Sequence, residues 1–118
     1  MDAELIREYC LSKKGVEDCF PFDNNTLVFK VMEKMFLLVS LEAQPVSINA
    51  KCDPEKVIAL RENYSSVLPG YHMNKKHWNT IICDNSISQK LLKEWIDDSY
   101  DLVVLSLSKK AQLELLKF

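Results

Sequence analysis

The 118-residue sequence predicts an α+β fold in which helices pack on one face of an antiparallel sheet. Runs of β-branched and aromatic residues are separated by connections too short for a crossover helix, which favours antiparallel pairing. Helix-capping patterns precede and follow these runs, and that order of helices and strands is typical of the α+β class. At 47% hydrophobic residues the chain suits one core, so we expect a single domain over residues 1–118.

The N-terminal part predicts an amphipathic helix and then an extended segment. Asp2 can cap the helix and Gly15 can end it. Apolar residues recur between them at helical spacing, namely Leu5, Ile6, Tyr9 and Cys10. Residues 16–22 are predicted to be extended, with Pro21 marking a strand end because proline cannot donate to a ladder.

The next part predicts an antiparallel meander. Residues 26–31 and 35–41 are rich in strand-forming side chains and flank a turn at 32–34, which indicates a β-hairpin. Residues 46–52 alternate apolar and polar side chains, as a strand does when one face lies on the core. A further strand is predicted at 78–83.

Three further helices are predicted from their start signals. Asp53-Pro54 combines an acidic N-cap with a proline at the first helical position. Ser86 and Gln89 have the spacing of a capping box. The acidic run at 97–99 predicts a fresh N-cap, so that a last helix begins there and carries the pair 109–110 toward its end.

Composition limits the classes of function. The formal net charge of -2 and the pI of about 5.7 are unlike those of a strongly basic nucleic-acid binder, so any basic surface must be local. The four cysteines are widely spaced and lie beside apolar residues, which predicts free thiols in a reducing compartment. With no signal-peptide pattern and no apolar run of membrane-span length, we expect a cytoplasmic monomer without a cofactor.

The Leu68–Thr80 segment is the part that helix and strand patterns explain least. It joins a Pro-Gly turn to aromatic residues, two histidines and two adjacent lysines, with no acidic residue. Lysines suit phosphates, while aromatics and amides suit bases, so this combination indicates a nucleic-acid contact. The candidate nucleic-acid-binding residues are His72, Asn74, Lys75, Lys76 and His77, with Lys30, Lys34 and Lys51 as outlying charges.

Other interpretations of the segment stay open. The same aromatics, with Tyr71, Met73 and Trp78 as an apolar patch, would suit a module that binds a protein partner or a second copy of the chain. The segment would equally serve as a tight turn with Trp78 packed inward. His72 and His77 lie five apart, which fits no common metal-site spacing, and no catalytic motif is present, so we expect neither a metal site nor an enzyme. A Cys-His pair that meets only in space stays open.

Residues 69–80 also closely resemble the signature of the MmcQ/YjbR family of small bacterial proteins. The resemblance extends over nearly the whole chain. It includes Lys34-Met35-Phe36, Pro54-Glu55, Leu60-Arg61-Glu62, Trp95-Ile96 and Ser99-Tyr100-Asp101-Leu102-Val103. It implies a CyaY-like (frataxin-like) α+β fold with a double-wing arrangement, and it implies DNA binding.

One position departs from the family pattern. Glu33 precedes Lys34 where the family usually has glycine, so we expect a hairpin turn looser than the tightest type and a negative charge beside a candidate lysine. Two lysines in the segment release few counterions. The leading hypothesis is therefore weak, largely sequence-independent DNA binding.

Overall fold

The computed structural model describes all 118 residues, Met1–Phe118. Four helices and six strands follow one another along the chain, and their bounds are α1 Ala3–Leu11, β1 Val16–Cys19, β2 Thr26–Val31, β3 Lys34–Ser40, β4 Ser47–Lys51, α2 Pro54–Asn63, β5 Val67–Pro69, β6 Trp78–Ile82, α3 Gln89–Ser106 and α4 Lys109–Leu115. None of the helices combines the length and apolar composition needed to cross a bilayer.

The six strands form one antiparallel sheet in the order β1-β2-β3-β4-β6-β5. The first four strands are a meander, as predicted, and β6 pairs with β4. The short strand β5 was not predicted as a separate element. It lies at the edge of the sheet, so the backbone N–H that Pro69 lacks is not needed for a hydrogen bond between two interior strands.

The main core lies between the sheet and the helices. It contains 17 buried residues drawn from β2, β3, β4, β5 and β6 and from α1, α3 and the end of α4. Phe36 is fully buried there, with its ring 5.3 Å from that of Tyr100 in an edge-to-face arrangement. The predicted α+β architecture, with helices on one face of an antiparallel sheet, is confirmed.

A β-bulge in β3 is held by a serine from α3. Phe29 pairs with Leu37 and Lys30 pairs with Met35, so Phe36 is the additional residue. The hydroxyl of Ser99 accepts a hydrogen bond from Lys51 N at 2.8 Å and donates one to Phe36 O. Because Ser99 is fully buried, this hydroxyl supplies partners that the interrupted ladder does not.

The predicted helix start at 97–99 is wrong, because α3 runs without interruption from Gln89 to Ser106. Trp95, Ile96 and Val103 keep one stripe buried through this stretch, and packing on the sheet outweighs the local capping signal. The last helix starts instead at Ser108, whose side chain accepts from Ala111 N. Residues 109–110 therefore begin a helix and do not lie toward its end.

The other helix caps agree with the predictions in part. Asp2 and Asp53 are N-caps, each accepting a backbone N–H through its carboxylate. Helix α3 is capped by Ser88 and not by Ser86. Ser86 belongs to a turn in which its hydroxyl donates to Asp84 Oδ1 at 2.6 Å.

The β2–β3 hairpin is tighter than predicted. Val31 pairs with Lys34, so the turn has two residues, Met32 and Glu33. Both have positive φ angles, 47° and 72°, as a type I′ turn requires. Two-residue primed turns match the twist of paired strands, and the pairing holds both residues in the left-handed region despite the absence of glycine.

Candidate nucleic-acid interface

The sheet has a second face that no helix covers. Leu27, Phe29 and Val31 point to the helices, so the alternate residues of β2, including Lys30, point away from them. By the same alternation Lys51 of β4 lies on the helix-free face. A cluster of three buried residues, Val28, Leu38 and Trp78, packs on this face.

The loop joining β5 to β6, residues 70–77, folds over part of the helix-free face. Gly70 N donates to Trp78 O at 3.1 Å, and a Cβ on Gly70 would come within 2.9 Å of Trp78 Cβ and O. Glycine is therefore required by close approach. The carbonyl of Asn74 accepts from His77 N and Trp78 N, and its side chain accepts from Lys76 N at 2.9 Å. The loop is thus an ordered turn.

Arg61 of α2 fastens this loop from the helix side. Its Nε donates to Asn79 Oδ1 at 2.7 Å, and its Nη2 donates to the carbonyl oxygens of Lys75 and Trp78, at 3.3 Å for Trp78. Asn79 is buried and donates in turn to Val57 O. A planar guanidinium can serve several acceptors in fixed directions, which holds the backbone beside Lys75 in place.

Asn49 and Thr80 fasten the loop from the other side. Thr80 Oγ1 accepts from Tyr71 N at 2.9 Å and donates to Asn49 Oδ1. Asn49 Nδ2 approaches Tyr71 O at 3.5 Å. These bonds use only the backbone of Tyr71, and the residue is 69% exposed.

The sequence-predicted lysines meet at one end of the sheet. Strand β2 ends and β3 begins at this end, β4 ends there, and β6 begins opposite Lys51. We call this cluster the basic end, and its members are Lys30, Lys34, Lys51, Lys75 and Lys76. The two ion pairs of the protein, Arg7–Asp18 and Lys13–Asp97, both lie elsewhere.

The remaining candidate residues contribute unequally to this surface. His72 is exposed and has a φ of 59°, and its ring lies 4.0 Å from that of Tyr71 at an angle of 49° between the ring planes. His77 is half-buried, and its carbonyl accepts from Cys52 N. The Asn74 side-chain oxygen is occupied within the loop. Lys75 Nζ donates to Gly70 O at 3.3 Å, which holds its charge over the loop.

The apolar patch of the protein-interaction alternative is smaller than the sequence suggested. Trp78 is 9% exposed and packs with Val28 and Leu38. Met73 is half-buried against the same cluster, and Tyr71 alone is largely exposed. The prediction that Trp78 packs inward is therefore confirmed, and this side chain offers little surface to a partner.

All four cysteines are free thiols, and three of them, Cys10, Cys52 and Cys83, have little nucleophilic character. Burial raises the pKa of Cys10 to about 12 and that of Cys83 to about 11. The pKa of Cys52 is also raised by burial, with Asp53 adding to the effect. Since the thiolate is the reactive form, these pKa values disfavour cysteine chemistry near neutral pH. No group of three or more His, Cys, Asp and Glu side chains is arranged to hold a metal ion.

The roles of four residues that support the site were not predicted from the sequence. Arg61 appeared only as part of a family motif, and Ser99 appeared as a helix cap. Asn49 and Thr80 are polar residues at outward-facing positions of two strands, and this pattern alone does not predict that they bond to each other. Their roles depend on pairing β4 with β6, and nothing local predicts that pairing.

Comparison with known proteins identifies relatives over most of the chain. The sequence model of the YjbR family matches residues 11–102. The chain is 41% identical over 109 residues to uncharacterized protein YbdF of Escherichia coli O157:H7, covering 92% of this chain and 89% of that protein. It is 31% identical over 102 residues to uncharacterized protein YjbR of Escherichia coli K12, covering 86% of each.

Solved structures agree with this relationship. The crystal structure of Deinococcus radiodurans protein DR2400, with its DUF419 domain, superposes with a TM-score of 0.90 at 37% identity, over 97% of this chain and 87% of that one. A crystal structure of a Pseudomonas syringae protein superposes with a TM-score of 0.76 at 25% identity, over 86% of this chain and 98% of that one. The sequence match and the shared fold lead to one conclusion: this chain belongs to the YjbR family.

Proposed function

We propose that the protein binds DNA weakly and with little sequence preference, and that the basic end makes the phosphate contacts. One observation carries the proposal: lysines from four separate parts of the chain, Lys30, Lys34, Lys51 and the 75–76 pair, converge at one end of the sheet. None of them belongs to an ion pair within the protein. Lys30 and Lys51 lie on the helix-free face, whereas Lys34, which pairs with Val31, lies at the same end of the sheet on the helix-covered side. A concentration of lysines without acidic partners at one end of a protein is the electrostatic footprint of phosphate binding.

Nearby acids and the overall charge account for the weakness. Glu17 on β1 lies directly opposite Lys30, and Glu33 occupies the hairpin turn beside Lys34. The chain as a whole carries a net charge of -2. We expect dissociation constants in the micromolar range at low salt, and affinity that falls steeply as salt is added.

The proposal assigns the protein no catalytic role, which is supported by the raised pKa values of its buried thiols. It also assigns a cytoplasmic location, because four free thiols suit a reducing compartment. The protein-interaction alternative rests on Tyr71 and Met73 alone once Trp78 is buried. Binding of a protein partner that is insensitive to salt would favour that alternative.

The test is fluorescence anisotropy with a short labelled DNA, titrated at low and near-physiological salt. Substituting Lys75→Ala with Lys76→Ala should weaken binding and reduce the salt slope on duplex by roughly 2, since each phosphate contact contributes about 0.9. The matched control is Lys109→Ala with Lys110→Ala, an adjacent exposed pair on α4, on the helix side of the molecule. No binding at low salt, or equal losses in both variants, would refute the assignment.

A further inference from the structure

The helix-free face contains a groove whose lining does not include the lysines of the basic end. Its volume is about 880 Å³, within the range of small-molecule sites. The floor is formed by outward-facing residues of neighbouring strands, including Leu38, Asn49 and Thr80. Tyr71 lies on one side, before β6, and Phe22 lies on the other, before β2.

Two exposed aromatic rings border this groove. Tyr71 is 69% exposed and Phe22 is 65% exposed, while the apolar floor residue Leu38 is 6% exposed. Large rings left in water beside an apolar floor offer flat surfaces on which a planar ligand can stack. The backbone bonds of Tyr71 to Thr80 and Asn49 fix the point at which the side chain leaves the loop, and the ring of His72 lies 4.0 Å from the Tyr71 ring.

Polar groups suited to a base edge converge in the same groove. Asn49 Nδ2 makes a long bond to Tyr71 O, and its second N–H can be donated to a ligand. Thr26, Ser40 and Ser47 lie side by side across β2, β3 and β4, so three hydroxyls line the far part of the floor. Amides and hydroxyls that both donate and accept can bond to the edges of different bases.

Two lysines of the basic end, Lys30 and Lys51, lie next to the groove. Met35 lines the groove and pairs directly with Lys30, and Lys51 extends β4 beyond its last pair with β3. With strands about 4.8 Å apart, the two lysines are roughly 10 Å from each other on either side of β3. A strand whose phosphates lie on these lysines would carry its bases over the groove.

We infer that this groove receives an unstacked base of single-stranded DNA, so that the preferred ligand is a single strand and not a duplex. The inference rests on the proposed function, because it uses the same lysines for the phosphates. A paired and stacked base cannot reach the groove floor. A base in a single strand is already unpaired, so it can insert between Tyr71 and the groove floor with little loss of pairing and stacking energy.

The experiment compares a labelled oligo-dT with a hairpin duplex of equal phosphate number at one salt concentration. We expect the single strand to bind more tightly, and Tyr71→Ala to weaken single-strand binding about fivefold or more while duplex binding is unchanged. Tyr71→Phe keeps the ring and should bind like the wild type. Because the Tyr71 side chain is exposed, all variants should unfold at the wild-type temperature.

The outcomes separate the two proposals. Equal affinity for both DNA forms, with no effect of Tyr71→Ala but a loss in Lys75→Ala with Lys76→Ala, would overturn the base site and leave phosphate binding intact. No binding of either DNA would overturn both. As a second readout, oligo-dT should shift the side-chain amide resonances of Asn49 in NMR spectra, and unshifted resonances under saturating oligo-dT would contradict the groove as the site.

Discussion

On the helix-covered face of the sheet, 17 buried residues form one continuous core, whereas on the helix-free face the buried cluster has three members, Val28, Leu38 and Trp78. Lys13 is the only lysine of the protein that belongs to an ion pair, so the lysines of the basic end are distinguished by their position at one end of the sheet and not by the lack of an acidic partner. One face therefore holds most of the buried core, and the other is the face to which we assign the proposed ligand surface.

The largest expected effect is on the helix-covered face. Phe36→Ala should lower the free energy of unfolding by about 3 to 5 kcal/mol, since it removes a fully buried ring from contact with Phe29 and Tyr100. Urea denaturation followed by circular dichroism measures the change. A loss below about 1 kcal/mol would show that this face does not carry the stability we assign to it.

Trp78→Ala tests the smaller cluster and should cost about 3 kcal/mol, because the indole is buried against Val28 and Leu38 and supports the loop at 70–77. Hydrogen exchange of the loop amides should accelerate in this variant more than exchange in α1. Uniform acceleration throughout the chain would contradict a local role for Trp78.

Ser99→Ala tests the contact between α3 and the sheet, because the serine hydroxyl bridges Phe36 O and Lys51 N. Removing it leaves two buried backbone groups without a partner, and we expect a loss of about 1 to 3 kcal/mol. A cysteine at the same position is the near-isosteric control and should recover little of the loss, because a thiol bonds weakly. A neutral Ser99→Ala would mean that the bulge satisfies these groups in another way.

Glu33→Gly should stabilise the protein by about 1 kcal/mol, because glycine adopts the positive φ of this turn without a Cβ penalty. The same change removes a negative charge beside Lys34 and should tighten DNA binding slightly. Glu33→Gln separates the two effects, since it removes the charge but keeps the Cβ. If Glu33→Gln stabilises the protein as much as Glu33→Gly does, the gain comes from removing the charge and not from relieving the backbone.

The smallest effect concerns alkaline pH and the helix side. Burial raises the pKa of Tyr9 from 10.0 to about 12, and its hydrogen bond to Asp97 adds to the rise. The folded state keeps the phenol neutral while the unfolded chain ionises, so this group costs stability as the pH rises from 10 toward 12. Urea midpoints at about pH 8 and pH 11 should therefore differ less in Tyr9→Phe than in the wild type. An equal difference would contradict the raised pKa.

How much the sequence predicts depends on the distance over which each signal acts. Asp53-Pro54 starts a helix as predicted, because capping involves neighbouring residues alone. The same local signal at 97–99 fails, because the stripe of Trp95, Ile96 and Val103 continues to pack on the sheet. Long-range packing therefore decides between a cap and a continuous helix.

The candidate site shows the same limit. The lysines at 75–76 are exposed, as the local sequence alone explains, since burying two adjacent charges would be energetically costly. Their support by Arg61 depends on α2 packing beside a loop 14 residues further along, and the bond between Asn49 and Thr80 spans 31 residues. Contacts over such separations depend on strand order, which no single segment of the sequence specifies.

The most direct test of the division between the two faces is an NMR titration of isotope-labelled protein with oligo-dT, followed through backbone amide shifts. We expect shifts concentrated at the ends of β2 and β4, at the start of β3 and in residues 70–77, with α1 and α4 unaffected. Shifts concentrated in the helices, with the basic end unchanged, would contradict the assignment of the helix-free face to the ligand.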